Sequence, residues 1–237
     1  MKHQYFGDVN DYRKYGLLRA LQSSGDLALS VAWMTTPDDG SSDGSLRGYL
    51  EDESRWAAYD ADLYDFLRTS LRSSRRPSLS MIEGSGILPR TSYYSPTVPD
   101  DIAGRRVWSA GLLESARNAD LVFLDPDNGL EIPSKPMGRK DSSKYAAWAE
   151  VDALAAAGKS LVIYQHFTRE PRAEFIRRIG ALVQQHSGAA VIEAFRTPHV
   201  LFLVAGQRKH EQVLARVLSL VERNWAGQLD AVVLSSG

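Results

Sequence analysis

The chain has 237 residues, of which 28 are Lys or Arg and 29 are Asp or Glu, so its formal net charge is -1. The hydrophobic fraction of 43% is enough for a packed core, which excludes disorder as the main state. The balanced charge excludes a protein that binds polyanions over its whole surface, although a local basic patch remains compatible with it. The absence of cysteine excludes disulfides, thiolate metal sites and a thiol nucleophile.

The chain shows no candidate membrane segment. No apolar run follows the basic residues at its start, and no stretch approaches the roughly 20 apolar residues that span a bilayer. Together with the lack of cysteine, this predicts a cytoplasmic protein with no membrane partner.

Helices and strands alternate along most of the chain. In the first half of the chain the patterns predict a helix over residues 9–24, a strand over 27–34, a helix over 56–71, a weak strand over 79–83, and a loop over 84–104 with a short strand at 93–94. A helix over 107–116, a strand over 121–125, a helix over 142–157, a strand over 160–166 and a helix over 171–185 are predicted next. The chain is then predicted to form a hairpin of 189–195 and 200–205, a helix over 211–224 and a short apolar segment at 231–234.

This order predicts one Rossmann-like α/β domain over residues 1–237, with a helical insertion at about 46–78. Its sheet is expected to be mostly parallel and to end in a C-terminal antiparallel hairpin. Ligands of such sheets collect where the loops leave the carboxyl ends of the central strands. The loops after the predicted strands are therefore the first places to look for chemistry.

The turn after the most apolar strand carries the sharpest signal. Asp125, Pro126, Asp127 and Asn128 follow LVFL directly, and Glu131 comes three residues later. A carboxylate at a buried strand end needs a partner or a ligand, and the rigid proline directs the next polar groups into the same crevice. Carboxylate and amide groups here suit an exocyclic amine, whereas the alternative is a turn whose side chains bond their own backbone.

Two other acidic segments are candidates for ligand binding. The loop after the first strand combines Asp39 with Gly40 and Gly44, so that its backbone can approach a ligand closely, or it is a solvated turn. Glu83 ends the weak second strand, where an acid can bind both hydroxyls of a ribose, or it is a surface glutamate.

His166 ends a strand and is a candidate general base, or a structural histidine.

The N-terminal segment 5–15 contains both aromatic and charged side chains, which suit the binding of a nucleobase or a nucleic-acid backbone. The alternative is that these side chains pack and cap the start of the first helix. The candidate contacts of the segment are Tyr5, Phe6, Asp8 and Lys14. Two local basic clusters, at residues 72–76 and 169–178, are either nucleic-acid contacts or solvated faces.

Several of these stretches resemble the class I methyltransferases that use S-adenosylmethionine. They are FGDV at residues 6–9, the helix after it, the acidic glycine loop and LVFLDP at residues 121–126. The resemblance is to the 23S ribosomal RNA adenine-N6 methyltransferases in particular, and the three-Cys-motif partner proteins are another group with this type of sheet. The chain is also similar to a bacterial family of unassigned activity that carries FGDxxDYxKYGLLR and VFLDPDNGLE.

The resemblance implies a class I methyltransferase-type sheet, S-adenosylmethionine as cofactor and nucleic acid as substrate. In the adenine-N6 enzymes an acidic or amide residue and a backbone carbonyl hold the target amine, while an aromatic residue stacks on the base. Asp125 and Pro126 match that motif, whereas Asp127 and Asn128 stand where the family has proline and an aromatic. Lys14 lies one helical turn from the position of the family's N-terminal lysine.

By this resemblance, the loop from Asp39 to Gly44 holds the cofactor and Glu83 binds its ribose. Asp125 and Asn128 orient the acceptor nitrogen close to the methyl group, and His166 lines the crevice.

Two other functions fit the same residues. A magnesium-dependent nuclease would hold its metal with Asp125, Asp127 and Glu131, with Asp39 as a further candidate ligand, and Lys144 or Lys135 would activate water. A non-catalytic binding module would keep the sheet without the chemistry.

Overall fold

The computed structural model describes residues 1–37, 46–74 and 76–234, which form a Rossmann-like α/β fold. Its strands are β1 Leu29–Ala32, β2 Thr91–Tyr94, β3 Leu121–Leu124, β4 Gly129–Leu130, β5 Tyr145–Ala146, β6 Ser160–His166, β7 Val191–Arg196, β8 Val200–Gly206 and β9 Asp230–Val233. Its helices are α1 Val9–Gly25, α2 Glu53–Trp56, α3 Ala61–Ser73, α4 Ser80–Glu83, α5 Ile102–Ser115, α6 Trp148–Ala156, α7 Arg172–Ser187 and α8 Glu211–Asn224.

Seven strands form the central sheet in the order β2-β1-β3-β6-β8-β7-β9. The first four are parallel, and β8 is antiparallel to both β6 and β7. Strand β8 is buried along its whole length and is apolar throughout, whereas β7 is buried only in part. The more apolar arm of the hairpin therefore occupies the central place beside β6, because a strand covered on both faces has no room for polar side chains.

The sheet separates two hydrophobic cores. Helices α1, α3 and α8 pack on one face, around buried side chains such as Phe123 and Phe202. Helices α5, α6 and α7 pack on the other face, around Leu124 and Leu203. Neighbouring residues of a strand point to opposite faces, so each central strand supplies both cores.

Most of the predicted elements are confirmed, including the mostly parallel sheet and the C-terminal hairpin. The strand predicted over 79–83 is wrong, because residues 80–83 form the helical turn α4. Leu79 and Ile82, three residues apart, are both buried in the same core, which is the spacing of a helix. The strand at this edge of the sheet is β2, which contains the short strand predicted at 93–94.

The helix predicted over 142–157 begins later than expected. Its first residues form a 3-10 turn and the strand β5, and α6 begins at Trp148. The Glu150 carboxylate accepts a hydrogen bond from the backbone N–H of Ala147, which satisfies a donor at the helix start. Across the part of the chain that is described, no helix is both long and apolar enough to cross a membrane.

Candidate active site

A polar cleft of about 560 Å³ lies at the carboxyl ends of the parallel strands. Strands β1 and β3 are neighbours in register, so that Ala32 is paired with Leu124 and the two chains leave the sheet side by side. The turn at residues 125–128 lines the cleft together with the start of α1 and the end of β6. This is the edge at which the sequence placed ligand binding.

A buried ion cluster forms one wall of the cleft. The Lys14 ammonium lies 2.8 Å from Oδ1 of Asp11 and 2.8 Å from Oδ2 of Asp125, and the three side chains are at most 4% exposed. Asp11 also accepts a hydrogen bond from the backbone N–H of Gly7 at 3.0 Å. One cation therefore serves two carboxylates, and we call these three residues the lysine triad.

Aromatic rings enclose the cation of the triad. The Lys14 ammonium lies 5.5 Å from the ring centres of Tyr15 and Tyr164, 5.6 Å from that of Trp33 and 5.9 Å from that of Phe123. The faces of such rings attract a cation and keep water away from it. The ion pairs are therefore stronger here than at the protein surface.

The protonation of the triad reflects its unequal charges. Burial lowers the pKa of Lys14, but the carboxylates of Asp11 and Asp125 outweigh burial and raise it overall. Burial raises the pKa of Asp11 from 3.8 to about 6, against the opposing effect of Lys14. Lys14 therefore stays charged near neutral pH, and Asp11 takes up a proton as the pH falls through about 6.

Asp127 is held by the segment that follows β1. Its Oδ2 accepts a hydrogen bond from the Thr36 hydroxyl at 2.6 Å, and its Oδ1 lies 2.5 Å from the amino group of Met1. That amino group also donates to the backbone carbonyl of Met34 at 3.1 Å. These contacts tie the loop after β1 to the turn after β3.

The turn after β3 presents Asn128 to the cleft. The backbone N–H of Asn128 donates to the carbonyl of Lys144 at 2.9 Å, and its half-buried side chain makes no hydrogen bond with the described residues. The next residue, Gly129, has φ +120°, and a Cβ there would lie 2.4 Å from the Gln165 amide. The turn therefore needs glycine at this position, both for its backbone angle and for its close approach to Gln165.

The end of β6 supplies two rings to the cleft. His166 meets Tyr164 edge to face, with ring centres 5.2 Å apart, and both line the cleft together with His199. Although the His166 side chain is exposed at the mouth of the cleft, desolvation by the surrounding wall lowers its pKa, against the effects of Asp125 and Asp127. Its imidazole is therefore neutral near pH 7 and can accept a proton.

The N-terminal candidates do not all face the cleft. Tyr5, Asp8 and Lys14 line it, whereas the Phe6 ring is fully buried against Phe66, with ring centres 6.3 Å apart. Asp8 also caps α1, because its Oδ1 accepts from the N–H of Asn10. The helix-cap interpretation and the cleft-lining interpretation both apply to Asp8.

Glu83 lies at the same edge of the sheet, on a helix instead of a strand, but it does not line the cleft. Its Oε1 accepts hydrogen bonds from the Trp33 indole N–H at 2.8 Å and from the Ser95 hydroxyl at 2.9 Å. Trp33 directly follows β1 and Ser95 directly follows β2. Asp39, Gly40 and Gly44, the residues of the predicted glycine loop, lie outside the described residues.

The three carboxylates of the predicted magnesium site are not brought together. Asp125 is bound by Lys14, and Glu131 accepts from the backbone N–H of Met137 in its own loop. Over residues 1–37, 46–74 and 76–234, no group of three His, Cys, Asp or Glu side chains is placed to hold a metal ion.

Sequence reasoning did not assign several residues of the cleft to it. Asn10 and His199 line the cleft, and Asp11 completes the lysine triad. Asp11 and Lys14 are three residues apart on α1, so their spacing places them on one face of the helix. The spacing of Asp11 and Lys14 could therefore have been recognised in the sequence, whereas no local pattern predicts that His199 lies in the cleft.

The chain matches no protein-family model and no curated protein.

Proposed function

We propose that this protein is a methyltransferase that uses S-adenosylmethionine and acts on nucleic acid. The observation that carries the proposal is the position of Asp125 and Asn128, which line a polar cleft at the carboxyl ends of β1, β3 and β6. In open α/β sheets this edge is the usual place for a nucleotide-like ligand. The cleft also has a volume in the range of small-molecule sites.

Glu83 fits the role of a ribose ligand. Its Oε1 is held by Trp33 and Ser95, and its other carboxylate oxygen has no hydrogen-bond partner among the described residues. A half-buried carboxylate oxygen without a donor accepts ribose hydroxyls readily. When bound, S-adenosylmethionine supplies an electrophilic methyl group.

Asn128 and the rings of the cleft fit the acceptor side. The Asn128 amide oxygen is free to accept a hydrogen bond from an exocyclic amine. Tyr5 and Tyr164 also line the cleft, and they are the rings placed nearest to take the part of the aromatic residue that position 128 lacks. Positioning of this kind supplies much of the rate of a group transfer.

His166 fits the role of proton acceptor. An amine that gains a methyl group must lose a proton, and a neutral imidazole nitrogen at the mouth of the cleft can take it. The lowered pKa of His166 keeps the ring in that form near neutral pH. The lysine triad fixes the Asp125 carboxylate at the base of the turn, where it orients the acceptor with Asn128.

Calorimetric titration with S-adenosylmethionine in a chelating buffer tests the proposal. We expect binding heat without any divalent metal, and about tenfold or greater weakening in Glu83→Gln, because a carboxylate accepts hydrogen bonds more strongly than an amide. The glutamine keeps an oxygen for the Trp33 indole, so the fold is preserved. Glu114→Gln, an exposed carboxylate on α5, is the matched control and should bind like the parent.

The other outcomes each contradict the proposal in a different way. Heat with magnesium but not with S-adenosylmethionine would favour the nuclease. Heat with neither would favour a binding module without catalysis.

A further inference from the structure

A loop rich in basic residues lies beside the cleft. It covers residues 131–144, between β4 and β5, and we call it the basic loop. Its cations are Lys135, Arg139, Lys140 and Lys144, against the two acids Glu131 and Asp141. Both acids are engaged inside the loop, Glu131 by the backbone N–H of Met137 and Asp141 by the Lys135 ammonium at 3.0 Å.

Three cations of the basic loop make no direct ion pair among the described residues. The side chains of Arg139, Lys140 and Lys144 have no hydrogen bond or ion pair with the residues that the structure describes. Arg139 and Lys140 are exposed and line a hollow of about 390 Å³ with Lys135 and the two prolines at 133 and 136. With four cations against two acids, the loop has a local excess of positive charge in a chain whose net charge is -1.

The basic loop is held in place by contacts with the segment before α5. Asp100 accepts hydrogen bonds from the backbone N–H groups of Asp141 at 2.9 Å and Ser143 at 2.7 Å. Burial raises the pKa of Asp100, but these backbone donors outweigh it and lower the pKa overall. Gly138 packs so closely on Ile102 that a Cβ there would lie 2.5 Å from it. The cations are thus presented on a preorganised loop.

The basic loop ends at the cleft. Lys144 lines the cleft, and its carbonyl accepts from the backbone N–H of Asn128, the residue proposed to face the acceptor. A phosphate bound at Lys144 would place the attached nucleotide at the mouth of the cleft. The rings of Tyr5 and Tyr164 line the cleft there, and rings of this kind stack on bases.

We propose that the basic loop binds the phosphate backbone of a single-stranded nucleic acid and delivers one unpaired base to the cleft. A base in a duplex cannot enter such a cleft without leaving the stack, so an unpaired strand is favoured over a duplex. An acidic protein would also be attracted by the cations, but it has no bases to stack on the tyrosines that line the cleft with Asn128. This inference deepens the proposed function and rests on it only for the chemistry, because strand binding is measured without any cofactor.

The test is a fluorescence anisotropy titration of the full chain with a short labelled single-stranded RNA of mixed sequence, and with DNA of the same sequence. We expect Arg139→Ala/Lys140→Ala to bind at least about tenfold more weakly than the parent in low salt. The slope of log K against log salt should fall by about 0.7 for each phosphate contact that is lost. The matching duplex should bind the parent more weakly than the single strand does.

Arg208→Ala/Lys209→Ala is the matched control. It removes the same two residue types from an exposed adjacent pair, beyond the end of β8 that lies opposite the cleft. This control should bind the single strand like the parent, and thermal melting should show that both double variants are folded.

Three results would overturn the inference: no binding of either strand by the parent, equal weakening in both double variants, or displacement of the strand by polyglutamate as readily as by unlabelled RNA. Binding that depends on the basic loop, without heat from S-adenosylmethionine, would support this inference while contradicting the methyltransferase proposal.

Discussion

Two buried ion clusters lie on opposite faces of the sheet and differ in their charge balance. On one face, Arg105 of α5 binds Glu150 of α6 through Nε at 2.6 Å and Nη2 at 2.8 Å. Glu150 also accepts from the Ser109 hydroxyl and the Ala147 N–H. On the other face, the lysine triad gives two carboxylates a single cation.

The difference in charge balance distinguishes an ion pair that only stabilises the fold from a cluster that lies in the candidate site. The Arg105–Glu150 pair has one charge of each sign, and both carboxylate oxygens are used, although Nη1 of Arg105 has no acceptor among the described residues. The triad carries a surplus negative charge, and one of its carboxylates has a pKa of about 6. It also lies beside the cleft. A balanced pair is complete without a ligand, whereas an unbalanced one responds to pH and to what binds next to it.

The largest effect is expected from breaking the balanced pair. Arg105→Leu should lower the free energy of unfolding by about 3–5 kcal/mol, because it leaves the Glu150 carboxylate buried without its cation. Urea unfolding followed by circular dichroism measures this loss. Arg117→Leu, which removes an exposed ion pair with Glu114, should change stability by less than about 0.5 kcal/mol. Similar losses in the two variants would mean that the buried ion pair contributes no more to stability than the exposed one.

Removing the cation of the triad should cost less, and the cost should depend on pH. Lys14→Met should lose about 3 kcal/mol near pH 8, because it removes the cation that two buried carboxylates share. The loss should be smaller near pH 5, because the pKa of Asp11, about 6 in the parent, rises further without Lys14, so that Asp11 is then protonated and needs the cation less. Urea unfolding of the variant and the parent at both pH values tests this. An equal loss at both pH values would contradict the surplus charge of the triad.

The smallest effect on stability is expected from Glu193, whose carboxylate forms no ion pair with the described residues. Burial raises the pKa of Glu193 on β7 from 4.5 to about 7, and its Oε2 has no partner among the described residues. The native state therefore favours the protonated form, whose contribution to stability is present below about pH 4.5 and is lost as the pH rises through 7.

Glu193→Gln should therefore raise the melting temperature near pH 8 by no more than about 2 °C, since a half-exposed charge is partly screened. Near pH 4 the variant should gain nothing over the parent. Differential scanning calorimetry at the two pH values measures both. A gain near pH 4 as large as that near pH 8 would show that the effect is not one of charge.

The sequence predicted the elements with strong periodicity and misassigned the short ones. Helix α8 and strand β6 begin and end at the predicted residues, because long amphipathic or wholly apolar segments allow one interpretation. The segment 79–83 is too short for its apolar spacing to distinguish a helical turn from a strand, and packing on the core decided in favour of the helix. The pairing of β4 with β5 spans a polar loop and left no local pattern.

The candidate site was likewise predicted only in part from the sequence. The sequence alone identified the turn after β3 and the edge of the sheet at which it lies, because a carboxylate at the end of a buried apolar strand is costly without a partner. It did not identify that partner. Lys14 and Asp125 are 111 residues apart, and they meet because α1 packs against the face of the sheet that supplies Phe123.

Local periodicity therefore determined which residues form strands and helices and where the chain exposes its polar turns. The tertiary structure decided which charges neutralise one another, which rings surround Lys14 and how the basic loop meets the cleft. The physical reason is range: backbone periodicity is set by neighbours a few residues apart. The pairing of buried charges depends instead on which faces the whole core brings together.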